Sequence, residues 1–195
     1  MKWLKILLIA LVMLTCLETI ISVLVILAPL RVFTGGVEGF FSLYKYRISF
    51  LGEPIESELL NYVNKIAPFA TIPYVILQLA TIVIIIATLN RKVELPELSF
   101  YWSLTSIPHS GVLIGLTLLS LRELSRIPLQ IRLSTTAGII TFPETQVSIG
   151  PAQYILVILL IVIFIKVVIG LAMHIHLARV EAGASQHITL NHVYP

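Results

Sequence analysis

Residues 153–177 read QYILVILLIVIFIKVVIGLAMHIHL, and Lys166 is the one formally charged residue in this stretch. A helix needs about 20 consecutive, mainly apolar residues to cross the hydrocarbon core of a bilayer. Three further stretches of the chain meet this condition. The sequence therefore predicts four transmembrane spans, at about 6–28, 69–89, 101–121 and 153–177.

The composition of the whole chain agrees with a membrane location. Of its 195 residues, 57% are hydrophobic and 12% are charged, and the mean hydropathy is +0.98. Soluble domains carry roughly 25% charged residues, so this chain has too little polar surface for a soluble globule of its size. These values exclude an ordinary soluble enzyme, a disordered chain and a nucleic-acid-binding protein.

The connections between the spans predict short ordered elements. In the first long loop, 29–68, residues 55–66 place apolar side chains on one helical face, which predicts a short interfacial helix. The second long loop, 122–152, alternates apolar and polar residues around a turn candidate at 135–138, which predicts a small β-hairpin. A polar tail, 178–195, follows. We therefore expect one transmembrane domain over 1–195: an all-α integral membrane protein, a four-helix bundle with the short helix and the hairpin-like loop on one side.

Two charged residues lie near the middle of predicted spans, Glu18 in the first and Lys166 in the fourth. An ionised side chain at the bilayer centre costs about 2.5–3.5 kcal/mol on insertion scales. Measured from the end of the bundle that holds both termini, the two differ in depth by only about 2 Å at the rise of an α-helix. Opposite charges at matched depth predict an ion pair in the interior of the bundle.

The polar residues of the spans also fall on single helical faces. The first span has such a face at Thr15, Glu18, Thr19 and Ser22; the second has Thr71, Tyr74, Gln78 and Thr81; the third has Ser106, Ser110, Leu113, Thr117 and Ser120, with His109 beside it. Polar groups in hydrocarbon need partners, so these faces are expected to meet inside the bundle. The predicted intramembrane network comprises Glu18, Lys166, Gln78, His109, Thr15, Thr19 and Ser22.

Such a network has three interpretations. It can be structural, because interhelical hydrogen bonds contribute around 0.6 kcal/mol each in membranes and specify which faces meet. It can be a proton or ion path, because intramembrane Glu, His and Lys residues often mark one. It can also be completed by a residue of another subunit.

Glycines in the spans predict close helix packing. Gly111 and Gly115 form a Gly-x-x-x-Gly spacing in the third span, and Gly170 is a further packing position in the fourth. The spacing lets a second helix approach closely. That helix can belong to this chain or to another molecule.

The histidines provide little support for a cofactor. His109 and His174 are the pair that could ligate haem b, but their depths of about 12 Å and about 5 Å, from the helical rise, do not match. His174 and His176 are two residues apart and point to different sides of a helix. No Cys or carboxylate cluster has metal-ligand spacing, so we predict neither a cofactor nor a metal site.

The N-terminal residues indicate how the spans are oriented. Lys2 and Lys5 precede the first apolar run as in a signal peptide, but the run continues to Ala28, which is too long for a signal core of about 7–15 residues. We expect an uncleaved span. Two lysines before it and Arg31 after it favour a cytoplasmic N-terminus. Four spans then predict a multi-pass protein of the cell membrane with both termini in the cytoplasm.

No nucleophile elbow, phosphate-binding loop or His-Glu-x-x-His motif occurs, so no catalytic residue is predicted. We expect a small non-enzymatic accessory or scaffolding subunit of a larger membrane complex. Its partners would be the lipid bilayer and either other membrane-protein subunits or further copies of the chain. One alternative is a small transporter or a proton- or ion-conducting protein that uses Glu18, Lys166, His109 and Gln78. A further alternative is a redox subunit that contacts haem or quinone.

Overall fold

The protein is described by a computed structural model that covers residues 2–91, 102–127, 132–135 and 138–191. Over these residues it has four long helices: α1 (Lys2–Leu27), α2 (Glu58–Arg91), α3 (Ser106–Leu124) and α4 (Pro151–Asn191). Each is long and apolar enough, by length and composition, to cross a membrane; the segments that qualify are Lys5–Leu27, Glu58–Ile86, Trp102–Leu124 and Pro151–His176.

Seven short strands lie in the described parts of the two long connections. They are β1 (Arg31–Thr34), β2 (Val37–Phe41), β3 (Tyr46–Phe50), β4 (Glu53–Pro54), β5 (Arg132–Thr135), β6 (Gly138–Thr141) and β7 (Gln146–Ile149). Five of them form an antiparallel sheet in the order β4-β3-β2-β1-β7, while β5 and β6 pair with each other as a separate hairpin.

The five-stranded sheet shows that the predicted all-α fold class is wrong. The first long loop contributes four strands of this sheet. The second long loop contributes the fifth strand. This strand, β7, follows the β5–β6 hairpin and pairs with β1 from Arg31↔Ile149 to Thr34↔Gln146. Each strand has five residues or fewer, so local alternation is weak. The sheet depends on a pairing between segments that are far apart in the sequence.

The predicted short interfacial helix at 55–66 is also wrong as a separate element. Residues from Glu58 onward belong to α2, which continues to Arg91 through Pro68 and Pro73. A proline removes one backbone hydrogen bond and bends a helix without always ending it. Leu60, Val63 and Ala67 are buried at i, i+3 and i+7, so packing of one face holds this part of α2 in place.

The predicted polar tail is helical over most of its length. Helix α4 runs on from the apolar segment to Asn191. Residues 192–195 lie outside the described part of the chain.

The sheet is attached directly to the ends of α1 and α4. Only three residues separate α1 from β1, and one residue separates β7 from α4. The amide of Gly150 donates to the carbonyl of Leu30 at 3.0 Å, and that of Ala152 donates to the carbonyl of Pro29 at 3.0 Å. The two helices therefore enter the sheet side by side, and the start of α1 and the end of α4 point away from it.

A single apolar core joins the sheet to the helices. Phe33, Val37 and Phe41 of the sheet are buried in one cluster with Val25 of α1 and Val63 of α2. The Ser57 hydroxyl also donates to Glu123 at 3.2 Å, and this hydrogen bond connects the start of α2 to the end of α3. The sheet and the helical bundle thus form one packed unit.

Candidate functional site: a buried polar cluster shared by four helices

The centre of the helical bundle contains an ion pair between α1 and α4. The ammonium Nζ of Lys166 lies 2.7 Å from Oε2 of Glu18, and their side chains are 2% and 0% exposed. Glu18 is buried because its neighbours at one-turn spacing, Thr15 and Ser22, lie on the same inward face of α1. Charges removed from solvent to this degree are stabilised only when further hydrogen bonds satisfy them.

The ammonium of Lys166 has an acceptor for each of its three N–H groups. Besides Glu18, Nζ donates to Oγ of Ser106 on α3 at 3.0 Å and to Oε1 of Gln78 on α2 at 3.3 Å. A lysine ammonium has three donors and no acceptor. The three partners come from three different helices, so Lys166 links α4 to all of the others.

The second oxygen of the Glu18 carboxylate is also paired. The Tyr74 hydroxyl on α2 donates to Oε1 of Glu18. The same hydroxyl oxygen lies 3.2 Å from Oγ of Ser106. We define the polar cluster as Glu18, Tyr74, Gln78, Ser106 and Lys166; it takes at least one side chain from each helix.

The sequence placed Tyr74 and Ser106 on polar faces but did not assign them to the network. The signal that identifies Tyr74 is its spacing of four residues from Gln78, which puts both on one face of α2. Ser106 starts the polar face of α3. The residue before it, Thr105, accepts a hydrogen bond from Nε2 of Gln78 at 3.4 Å.

Three other predicted network residues of α1 are buried without joining the cluster. The hydroxyls of Thr15 and Thr19 donate to the carbonyls one turn earlier in their own helix, Leu11 and Thr15, at 2.8 Å each. Among the described residues the Ser22 hydroxyl has no hydrogen-bond partner. Burial on a polar face therefore does not by itself make a residue part of the interhelical network.

His109 lies against the cluster rather than within it. Its ring stacks on that of Tyr74 with 3.8 Å between the ring centroids and 10° between the planes. It is 6% exposed, and its Nε2 has no hydrogen-bond partner in the described part of the chain. His109 thus contacts the polar cluster through the ring of Tyr74.

The glycines of α3 face open space. A Cβ added at Gly111 or at Gly115 would meet no atom of the described chain within 4 Å. Within this chain, therefore, no described helix uses the Gly-x-x-x-Gly face for close packing. Gly170, in contrast, is buried on α4.

The chemistry available to the polar cluster is that of a closed set of hydrogen bonds. Carboxylate, ammonium, phenol, amide and hydroxyl groups are all directed at one another, and no nucleophile lies beside a free base in it. Over residues that the structure describes, no group of three or more His, Cys, Asp or Glu side chains is placed to hold a metal ion. Comparisons with protein-family models, with curated protein sequences and with solved structures found no match for this chain.

Proposed function

We propose that the protein is a non-enzymatic accessory or scaffolding subunit of a larger complex in the cell membrane. The polar cluster is the observation that carries this proposal, because its charged groups are already fully paired. Lys166 has three acceptors at 2.7, 3.0 and 3.3 Å from three helices, and both carboxylate oxygens of Glu18 are engaged. A group that carries ions or protons must exchange partners, whereas a group that joins helices must keep them.

The distribution of polar and apolar side chains supports membrane insertion. Large apolar side chains cover the outer surfaces of the helices, and each helix has exposed examples: Met13 of α1, Phe69 of α2, Leu118 of α3 and Phe164 of α4. Polar residues near the middle of the helices, such as Glu18, Gln78, Ser110 and Lys166, are buried. This arrangement is unfavourable in water and is the one that lipid favours. With Lys2 and Lys5 in the cytoplasm, the sheet would lie on the opposite side of the membrane.

The open face of α3 supports association with a second membrane protein. Gly111 is exposed and Gly115 is half-buried. A Cβ built at either glycine would have no other part of the described chain within 4 Å. A helix from another subunit can approach closely at two glycines one turn apart. The sheet, which is attached to the ends of α1 and α4 by backbone hydrogen bonds, would then be held in a defined position relative to the complex.

Enlarging this glycine face is expected to release the chain from its complex. Gly111→Leu with Gly115→Leu should weaken association about tenfold or more, since a loss of about 1.4 kcal/mol gives this factor. The measurement is the amount of partner subunit that copurifies with the chain from its native membranes in mild detergent. Val157→Leu, at a 56% exposed position of α4, is the matched control and should retain the partner. If both variants retained equal amounts of the partner subunit, the α3 face would not be the surface that binds it.

A proton-conducting protein is the second candidate, and the stacked His109 favours it. The buried Nε2 of His109, which has no partner among the residues that the structure describes, lies next to Tyr74, and Tyr74 donates to Glu18. A chain of titratable groups therefore leads to the ion pair. The scaffolding proposal predicts that liposomes containing the protein take up protons no faster than empty liposomes. A protein-dependent proton flux that disappears in Glu18→Gln would instead establish the second candidate.

A further inference from the structure

A groove of about 690 Å³ lies between β3 and the start of α2. We call it the β3–α2 groove. Its lining includes Tyr44, Lys45 and Arg47 from the β2–β3 turn and β3, and Asn61 and Asn64 from the first turns of α2. It is separate from the polar cluster, which lies in the centre of the bundle.

The β3–α2 groove is at the level where the apolar part of the bundle ends. The amide of Tyr44 donates to the carbonyl of Ile26 at 3.0 Å, one residue before the apolar segment of α1 ends at Leu27. The side-chain amide of Asn64 donates to the carbonyl of Ser42 at 2.9 Å and fixes the turn against α2. If the bundle spans a bilayer, as proposed above, the groove lies among the lipid headgroups.

The charge of the groove is suited to an anion. Lys45 and Arg47 are both exposed, and among the described residues neither is in an ion pair. Glu56 is the acidic residue in the lining, so the described lining residues have a net charge of one positive unit. Tyr44 is 55% exposed beside the two cations, and tyrosine is enriched at the boundary between headgroups and hydrocarbon.

We propose that the β3–α2 groove binds the phosphate headgroup of an anionic lipid from the adjacent leaflet. Lys45 and Arg47 contact the phosphate oxygens, Arg47 through its planar set of donors. The amide of Asn61 offers further donors to the headgroup, and the Tyr44 ring packs at the start of the acyl chains. This inference depends on the membrane insertion proposed above but not on the presence of a partner subunit.

The test compares the binding of two lipids to the whole protein. Purified protein in mild detergent is mixed with equal amounts of phosphatidylglycerol and phosphatidylcholine, and the lipids that it retains are counted by native mass spectrometry. Each basic residue near an anionic surface contributes about a factor of five. Lys45→Gln with Arg47→Gln should therefore lower the preference for phosphatidylglycerol about 30-fold. Both residues are exposed, and an unchanged melting temperature verifies that the variant is folded.

A matched variant distinguishes lipid binding in the β3–α2 groove from a general attraction of anionic lipids to basic residues. Lys65→Gln with Arg122→Gln removes the same charge from exposed residues near the same end of the bundle that do not line the groove. This control should keep the preference for phosphatidylglycerol. Equal losses in the two variants, or no preference in the unmodified protein, would overturn the proposal.

Two further measurements distinguish the binding of free phosphate, and a failure of membrane insertion, from a loss of headgroup binding. Inorganic phosphate at millimolar concentration should not displace phosphatidylglycerol; if it does, the groove binds free phosphate and the lipid assignment is wrong. All variants should also insert into vesicles of pure phosphatidylcholine. If the unmodified protein does not insert into them, the proposed membrane function fails, and this result is distinct from insertion without headgroup preference.

Discussion

Lys166→Met is expected to lower the free energy of unfolding by about 3–5 kcal/mol, the cost of removing one partner of a buried ion pair. The substitution leaves the buried Glu18 carboxylate with Tyr74 as its remaining hydrogen-bond partner among the described residues. It also removes the donor to Ser106 and Gln78. The measurement is equilibrium unfolding in mixed detergent micelles, followed by circular dichroism.

The double variant tests whether this loss arises from the pairing. Glu18→Gln with Lys166→Met replaces both charges with neutral side chains and should recover part of the stability that Lys166→Met loses. Lys65→Met, at an exposed position of α2, should change stability by about 0.5 kcal/mol or less. Purely additive losses at Glu18 and Lys166 would contradict an energetic coupling between the two residues.

Gly150→Ala is expected to destabilise the protein by about 3 kcal/mol, a large effect for one added methyl group. A Cβ at Gly150 would overlap with the carbonyl oxygen of Pro29. The backbone cannot move away easily, because Gly150 and Ala152 donate to the carbonyls of Leu30 and Pro29. Thermal unfolding of the purified variant measures the effect, and the lost stability should be accompanied by faster proteolysis within the sheet.

Another glycine provides a matched control for this substitution. Gly111→Ala adds the same methyl group to α3, where no described atom lies within 4 Å. Because alanine favours a helix over glycine by about 1 kcal/mol, this variant should be as stable as the unmodified protein or slightly more stable. If Gly150→Ala were equally well tolerated, the close contact between the α1 and α4 ends would not hold the sheet in place.

Local sequence patterns could predict the helices but not the sheet. The long apolar runs identify the helical segments because length and hydropathy alone define a candidate span. The strands β1 and β2 on either side of Gly35 and Gly36 are short, and the second partner of β1, Gln146–Ile149, lies more than 100 residues away. Gly35, with φ of +102°, marks a turn, yet a turn does not reveal which distant strand completes the sheet. The fold class was therefore wrong although its helical segments were recognisable.

The polar cluster could likewise be predicted only in part from the sequence. Depth along the helix axis relates Glu18 to Lys166 without knowledge of the fold, and the structure places their charged atoms 2.7 Å apart. Helical spacing places Thr15 and Thr19 on the same face as Glu18. It does not show that their hydroxyls bond to their own helix, because that choice depends on the distance to the neighbouring helix. The roles of Tyr74 and Ser106 likewise required the packed bundle.

The mass of the native particle is the most direct test of the proposed role as a subunit. The chain has a mass of 21.7 kDa, and the experiment purifies it without modification from its native source in mild detergent. We expect native mass spectrometry to find it in a larger particle of fixed stoichiometry, with other subunits or with further copies of itself. A homogeneous particle that contains a single chain with only lipid and detergent would contradict the proposal.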